Sequence, residues 1–423
     1  MRVCLFEDAA APDLEPLALT RPVFALLCGC APLADKQLFH FAATEPGFLV
    51  RPWLASVVGE RASYPVNDLR WLGAGPVVLA NGRWLPPANR PEQPSSPSVG
   101  LVDGQVAWAF VTPEMLAACG NLPLDACLER FKATLPGGPA GGKLVRHLWE
   151  LVDLNAEMIA RDAVQGDAPP PWTGESPSVV GPRERLLVDP TARIDPQVVV
   201  DTTNGPVVID REAFVSAFSR LEGPCYIGAR TQVMGAKIRG GTTLGPECRI
   251  GGEVECSIIQ GFSNKYHEGF LGHAYVGSWA NLGAGTHNSD LRNDYGEVRV
   301  MVGGRLVRTG RNKVGCYIGD HAKAGLGCLL NTGTSAGAFS QLLPSAGFLP
   351  RYVPSFSSAG PGGLAAQDDL DALLATARVV MARRGKPMTH AAEALYRQLF
   401  DQTARERLRA LREADRRRVR LSA

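Results

Sequence analysis

The sequence predicts an α/β domain followed by a left-handed parallel β-helix of hexapeptide repeats and a helical C-terminal tail. Three observations carry that prediction. Short apolar strands alternate with helical stretches over residues 1–164, an aliphatic residue recurs every six positions between Val188 and Ala336, and the tail at 357–423 carries apolar residues at helical spacing.

In the first part, residues 3–6 and 77–80 read as buried strands, Pro113–Cys119 and 122–131 as short helices, and 87–98 as a Pro/Ser-rich loop. Strands interleaved with helices give an α/β layer structure. Residues 148–162 have apolar side chains at helical spacing and read as an exit helix, and 165–182, rich in Pro and Gly, reads as a linker. The expected divisions are therefore 1–164, a linker at 165–182, the β-helix at 183–356 and the tail at 357–423.

The β-helix rests on its period. Val188, Ile194 and Val200 are six apart, as are Ile209, Val215, Leu221, Ile227 and Val233. A five-residue step leads to Ile238, Leu244 and Ile250; Phe270, Val276 and Leu282 follow, then Ile318, Ala324, Leu330 and Ala336. Many are followed by Gly, as in Ile227-Gly228, Leu244-Gly245, Val276-Gly277, Leu282-Gly283 and Ile318-Gly319. Each hexad is one flat face of a triangular coil with one aliphatic side chain pointing inward, and Gly permits the tight corner. Residues 260–269 interrupt the register with polar side chains. Residues 288–313 form a long insertion with six basic residues, and loops on a rigid solenoid are where binding groups sit.

In the tail, Leu370, Leu373, Leu374, Ala377, Val380 and Met381 form one helical face, and Leu395, Leu399, Leu408 and Leu411 extend the pattern. The tail ends in Arg416-Arg417-Arg418-Val419-Arg420, either an anionic-surface patch or a solvated helix end.

Composition narrows the function. The 423 residues suit two domains and an appendage. Lys plus Arg number 44 against 42 Asp plus Glu, a net charge of +2 that gives no reason to expect nucleic acid as a partner. No apolar run approaches the ~20 residues that span a bilayer, and the run after Met1 is too short for a signal peptide. The ten cysteines form no C-x-x-C pair, so no zinc site is expected, and buried thiols in a reducing, cytoplasmic setting are.

The chemistry concentrates in one stretch. Ser263-Asn264-Lys265-Tyr266-His267-Glu268-Gly269-Phe270-Leu271-Gly272 precedes Asn281-Leu282-Gly283-Ala284-Gly285-Thr286, with His267 fourteen residues before Asn281. Beyond lie Asn288-Ser289-Asp290-Leu291-Arg292-Asn293, then Val314-Gly315-Cys316-Tyr317-Ile318-Gly319-Asp320-His321 and Leu329-Leu330-Asn331-Thr332-Gly333-Thr334. On these motifs the chain resembles a divergent bacterial branch of the bifunctional UDP-N-acetylglucosamine diphosphorylase / glucosamine-1-phosphate N-acetyltransferase family. The likeness covers residues 188–356 and, more faintly, 1–162.

The resemblance implies a transferase that acetylates an amino-sugar-1-phosphate with acetyl-CoA, coupled to nucleotidyl transfer. It also implies a homotrimer with CoA sites between neighbouring β-helices. The attacking amine must lose a proton, which suits a neutral imidazole near pH 7. Charge developing on the thioester oxygen needs an N–H or amide donor. By resemblance, His267 is the base and Asn281 positions the sugar or acyl group, although Asn281 could instead belong to an Asn ladder of the coil. Asn264, Lys265 and Phe270 would contact the substrate, with Lys265 the cation for the sugar phosphate. The Ala284 and Gly285 backbone would face the thioester and pantetheine arm, and Arg311 and Lys313 would meet CoA phosphates. Asp290 stands where the family carries an Asn. His273, His287 and His321 show no metal-ligand spacing and read as surface histidines.

Leu14-Glu15-Pro16-Leu17-Ala18-Leu19-Thr20-Arg21-Pro22 and Leu33-Ala34-Asp35-Lys36 resemble the opening of the same branch, whose first domain is nucleotidyltransferase-like. Arg21 and Lys36 stand where its phosphate-binding cations are expected. The Gly-rich phosphate loop is missing, since Glu7-Asp8-Ala9-Ala10-Ala11-Pro12-Asp13 is acidic. The usual Asp ligand of Mg2+ is missing too, because the strand at 76–80 runs into Asn81-Gly82-Arg83, and Asp103 reads as a turn residue. Two other readings stay open: a non-catalytic sugar-nucleotide-binding or regulatory subunit, and a nucleotidyltransferase whose β-helix is only a trimerising scaffold.

Overall fold

A computed structural model describes residues 1–90, 93–165, 168–174 and 176–422, leaving aside the side chains of Arg61 and 417–422. The chain divides into two compact units. One comprises Met1–Leu14, Thr20–Leu26 and Ala31–His147, the other Glu15–Leu19, Leu27–Cys30 and Leu148–Ala423.

The first unit is an α/β layer structure. Its six-stranded sheet runs in the order Glu45–Leu49, Arg2–Phe6, Val77–Asn81, Gln105–Val111, Ser98–Val102, Gly137–Pro139. The first three strands are parallel, and Gln105–Val111 is antiparallel to both neighbours. Parallel strands covered on both faces need near-continuous apolar runs, and Val3, Leu5, Val77, Val78 and Leu79 are fully buried. The expected strands and helices are present. The second helix starts at Leu124, after Pro123, which lacks the N–H a helix interior needs.

The second unit is built on a parallel β-helix of three faces. Six strands from Ser178–Val180 to Phe270–Gly272 form the first face, and nine from Leu186–Val188 to Tyr352–Val353 the second. Ten strands from Arg193–Ile194 to Gly363–Ala366 form the third, the last of them antiparallel. On the second face Val188, Ile209, Ile227, Leu244, Ile259, Val276, Ile318, Ala336 and Val353 stack in register as one buried column. The glycines that follow these residues serve close stacking rather than left-handed backbone. A Cβ on Gly245 would lie 2.2 Å from the Gln260 carbonyl oxygen of the next coil, and one on Gly277 would lie 2.4 Å from the Asp320 carboxylate.

Two parts of the expected register are corrected. Phe270 is not an inward residue: Leu271 is buried and stacks on Val254, and Phe270 faces outward. Residues 260–269 do not interrupt the coil either. Asn264–Lys265 pairs with Arg249–Ile250, so Lys265 occupies the inward position above Ile250. A lysine can take a core position because its methylene stem fills the apolar column while its amine reaches the polar corner. The insertion opens with Asn288, also inward and buried, whose amide bonds both the N–H and the carbonyl of Gly272 at 2.8 Å. It contains the hairpin Arg299–Val302 and Arg305–Arg308.

The helix Leu148–Gln165, expected to close the first domain, belongs to the second unit. Its fully buried Asn155 donates to the Gly241 carbonyl at 2.8 Å and accepts from the Gly29 N–H at 2.7 Å. The units therefore divide at Leu148, and the Pro/Gly-rich stretch lies inside the second; its Gly166, Asp167 and Glu175 are outside the described residues, as are Pro91 and Glu92 of the earlier loop. The tail is helical from Leu370, as Leu370–Ala382, His390–Gln402 and Ala404–Ser422. The side chains of Arg417, Arg418, Val419 and Arg420 in the expected basic end lie outside the described residues. The tail docks where Phe262, Trp279, His321, Phe339 and Phe356 stack along one corner, with Tyr396 and Phe400 edge-on to that column. None of the ten cysteines is in a disulfide, and no described helix is long and apolar enough to cross a membrane.

Candidate active site at a corner of the β-helix

His267 lies on the turn that carries the chain from Asn264–Lys265 on the third face to Phe270–Gly272 on the first. The imidazole is exposed, with the Tyr266 ring edge-on at 5.1 Å. The turn is held from inside: the Lys265 amine donates to the carbonyls of Gly251 at 2.8 Å and His267 at 3.1 Å. Burial lowers its pKa to about 8, against the opposing pull of Glu268 and Glu253. Lys265 is 3% exposed, so the expected sugar-phosphate cation is instead a clamp on the turn.

Asn264 stacks on Asn281. The same 17-residue offset (264 to 281, 267 to 284) sets Ala284 one coil along from His267. The Gly285 N–H donates to the Glu268 carbonyl at 2.9 Å, and the Ala284 carbonyl accepts from Gly327 at 2.8 Å. The Ala284 N–H has no partner among the described residues. Neighbouring coils lie about 4.8 Å apart, so this donor sits on the coil next to the His267 turn. Asn264 and Asn281 do form a short ladder, with the Asn264 amide 3.5 Å from the Asn281 amide oxygen. Asn264 also accepts from Arg384 of the tail at 2.7 Å.

Around the corner is a hollow of about 220 Å³ lined by Lys237, Glu253, Glu268, Phe270 and His287. Lys237, Glu253 and Phe270 follow one another along an outward row of the first face. His287, from the next coil, accepts from the Phe270 N–H at 3.1 Å. Reading the sequence by motif missed Lys237, Glu253, Glu268 and His287. Stepping back one coil at a time from Phe270 would have found the first two, whereas nothing in the tail marks Arg384.

The cations expected for CoA are otherwise engaged. Arg311 pairs with Asp153 at 2.8 Å, and the exposed Lys313 faces Asp290. Nor are the other histidines all on the surface. His321 is buried, its Nε2 3.1 Å from the Tyr396 hydroxyl, and His273 is half-buried against Asp290 at 2.7 Å. Burial pulls the His273 imidazole down, but its contacts with Asp290 and Cys256 outweigh that and lift it to about 9.

In the first unit the acidic loop is closed by the chain's own cations. Glu7 accepts from Arg51 at 3.0 and 3.1 Å and from the Val23 N–H at 3.0 Å. Asp8 accepts from Arg83 Nε at 2.8 Å and from Asn81 at 2.8 Å, with Arg83 2% exposed and also bonded to the Val145 carbonyl. Burial pushes the Asp8 carboxyl up, and Arg83 and Asn81 outweigh it and hold it below its usual range. Arg51 also bonds the Arg21 carbonyl, and Lys36 is buried on the helix Leu33–His40. The residues present do not fit a divalent ion: the Asn81-Gly82-Arg83 turn puts a guanidinium against the nearest carboxylate, and no His/Cys/Asp/Glu group suited to a metal occurs among the described residues.

Residues 3–165 match the sugar nucleotidyl transferase family. The chain is 35% identical over 107 residues to a bifunctional sugar-1-phosphate nucleotidylyltransferase/acetyltransferase of Sulfurisphaera tokodaii, covering 25% of this chain and 27% of that protein. It is 30% identical over 155 residues to the uncharacterized acetyltransferase YaiX of Escherichia coli K12, covering 36% and 67%. It is 36% identical over 104 residues to the bifunctional protein GlmU of Azorhizobium caulinodans, covering 24% and 23%. The matches thus span well under two thirds of both bifunctional relatives.

Proposed function

Because this chain belongs to a divergent branch of the GlmU-like nucleotidylyltransferase and acetyltransferase family, we propose that its β-helix transfers an acetyl group from acetyl-CoA to an amino-sugar-1-phosphate. The observation that carries this reading is the exposed His267 imidazole one coil from the unpartnered Ala284 N–H.

His267 takes the proton as the sugar amine attacks the thioester carbon. The Ala284 N–H stabilises the oxyanion, the C–S bond breaks, and CoA leaves as a thiolate that takes up a proton. Asn281 orients the acceptor. Lys237 takes the phosphate role that Lys265 cannot, and Phe270 packs against the sugar. The rest of CoA follows the corner past Leu326 to a hollow of about 1070 Å³ lined by Met301, Phe348, Arg351 and Leu364. A glucosamine-1-phosphate-like acceptor, a homotrimer with CoA between neighbouring β-helices and a cytoplasmic setting belong to the same proposal.

For the first unit, the closed ion pair of Asp8 and Arg83 favours binding of a sugar nucleotide without nucleotidyl transfer. One assay addresses both units: purified protein with a panel of amino-sugar-1-phosphates and acetyl-CoA, then UTP or dTTP with Mg2+. The expected result is free thiol with at least one amino sugar and no pyrophosphate. Thioester left intact with every amino sugar would sink the acetyl-transfer reading, and Mg2+-dependent pyrophosphate would sink the reading of the first unit.

A further inference from the structure

At another corner of the coil, three reactive side chains stack on successive turns. Cys256, His273 and Asp290 are 17 residues apart (256, 273, 290). Glu255 pairs with Gly272, and the His273 N–H donates to the Glu255 carbonyl at 3.1 Å, which sets His273 beside Cys256. His273 Nδ1–H donates to Asp290 at 2.7 Å, leaving Nε2 as the acceptor of the neutral ring. The Cys256 thiol, one coil before the imidazole, donates to the Gly240 carbonyl at 3.3 Å. Eight of the ten cysteines are buried, and Cys256 is one of the two that are not. The charged group facing the cluster from the insertion is Lys313, beside Asp290.

We propose that Cys256, His273 and Asp290 form a nucleophilic thiol site, separate from His267, that accepts an acyl group from a thioester. The choice of acyl donor rests on the reading that acetyl-CoA binds this coil. His273 takes the thiol proton and Asp290 steadies the imidazolium, as the third member of a triad does. The Cys256 sulfur attacks the thioester carbonyl carbon, the bond from that carbon to the CoA sulfur breaks, and the departing thiolate takes the proton back from His273. The exchange joins one thioester to another and needs no oxidant. An isolated cysteine is only a few per cent thiolate at pH 7, whereas an adjacent imidazolium raises that share.

The test uses the full chain with two probes. Iodoacetamide at pH 6.5, read by peptide mass, should label Cys256 at least tenfold faster in the native protein than in His273→Asn or Asp290→Asn of unchanged circular dichroism. Acetyl-CoA should leave a hydroxylamine-labile acetyl group on Cys256, also in His267→Ala, where transfer to the amino sugar is lost. Equal iodoacetamide rates in the native protein and both variants would overturn the nucleophilic site. Fast labelling with Cys256 never acetylated would overturn its acyl-accepting role, independently of the amino-sugar reaction.

Discussion

Lys265 shows how one side chain can serve both packing and chemistry. Its stem fills the column between Ile250 and Leu282, and its amine holds the His267 carbonyl. Lys265→Met should keep the stem's volume and most of the thermal stability, yet lower acetyl transfer by loosening the turn. Lys265→Ala should cost about 2–5 kcal/mol through the cavity it leaves. Denaturant unfolding and thiol-release assays on the two variants separate these effects; equal activity loss with equal stability loss would contradict the clamp. The pair of His273 and Asp290 makes a pH prediction. The folded imidazole titrates near 9 against 6.5 for the free group, so its contribution is fully present below pH 6.5 and fades as pH rises through about 9. Melting temperatures across that window should fall more in the native protein than in Asp290→Asn. At this scale the sequence motif put His267, Asn281 and the Ala284 backbone forward as candidates, and the proposed reaction rests on them. It misassigned Lys265, because a motif gives spacing but not which way a side chain points.

The coil was legible because its aliphatic column repeats and every repeat must point inward. It was misread at Phe270, one position before the inward Leu271, and where polar residues took inward positions, Lys265 and Asn288, whose partners are backbone groups of adjacent coils that no local pattern reveals. A column so tightly stacked tolerates little loss of volume. Leu221→Ala, fully buried, should cost about 2–5 kcal/mol by denaturant unfolding. The docking of the tail was not legible, because the aromatic residues of the corner column are spaced by whole coils and one insertion. Tyr396 packs edge-on to His321 and Phe339. Tyr396→Ala should therefore speed limited proteolysis within residues 367–402 and leave the β-helix resistant; unchanged cleavage would contradict that docking.

For the whole molecule, composition put the boundary in the Pro/Gly-rich stretch, whereas contacts put it at Leu148, since Asn155 bonds groups far along the chain. The first unit has its predicted α/β sheet, and Arg83 closes on Asp8 in the acidic loop. Removing one partner of a buried ion pair strands the other charge, so Arg83→Leu should destabilise that unit by about 3–5 kcal/mol while leaving acetyl transfer in place. The most direct measurement is kcat/KM for acetyl transfer from acetyl-CoA to the best amino-sugar-1-phosphate, in the native protein and in His267→Asn of matched circular dichroism. Loss of a positioned general base should lower it about 10²–10⁴-fold. An undiminished value would contradict the assignment of the β-helix corner as the acetyl-transfer site.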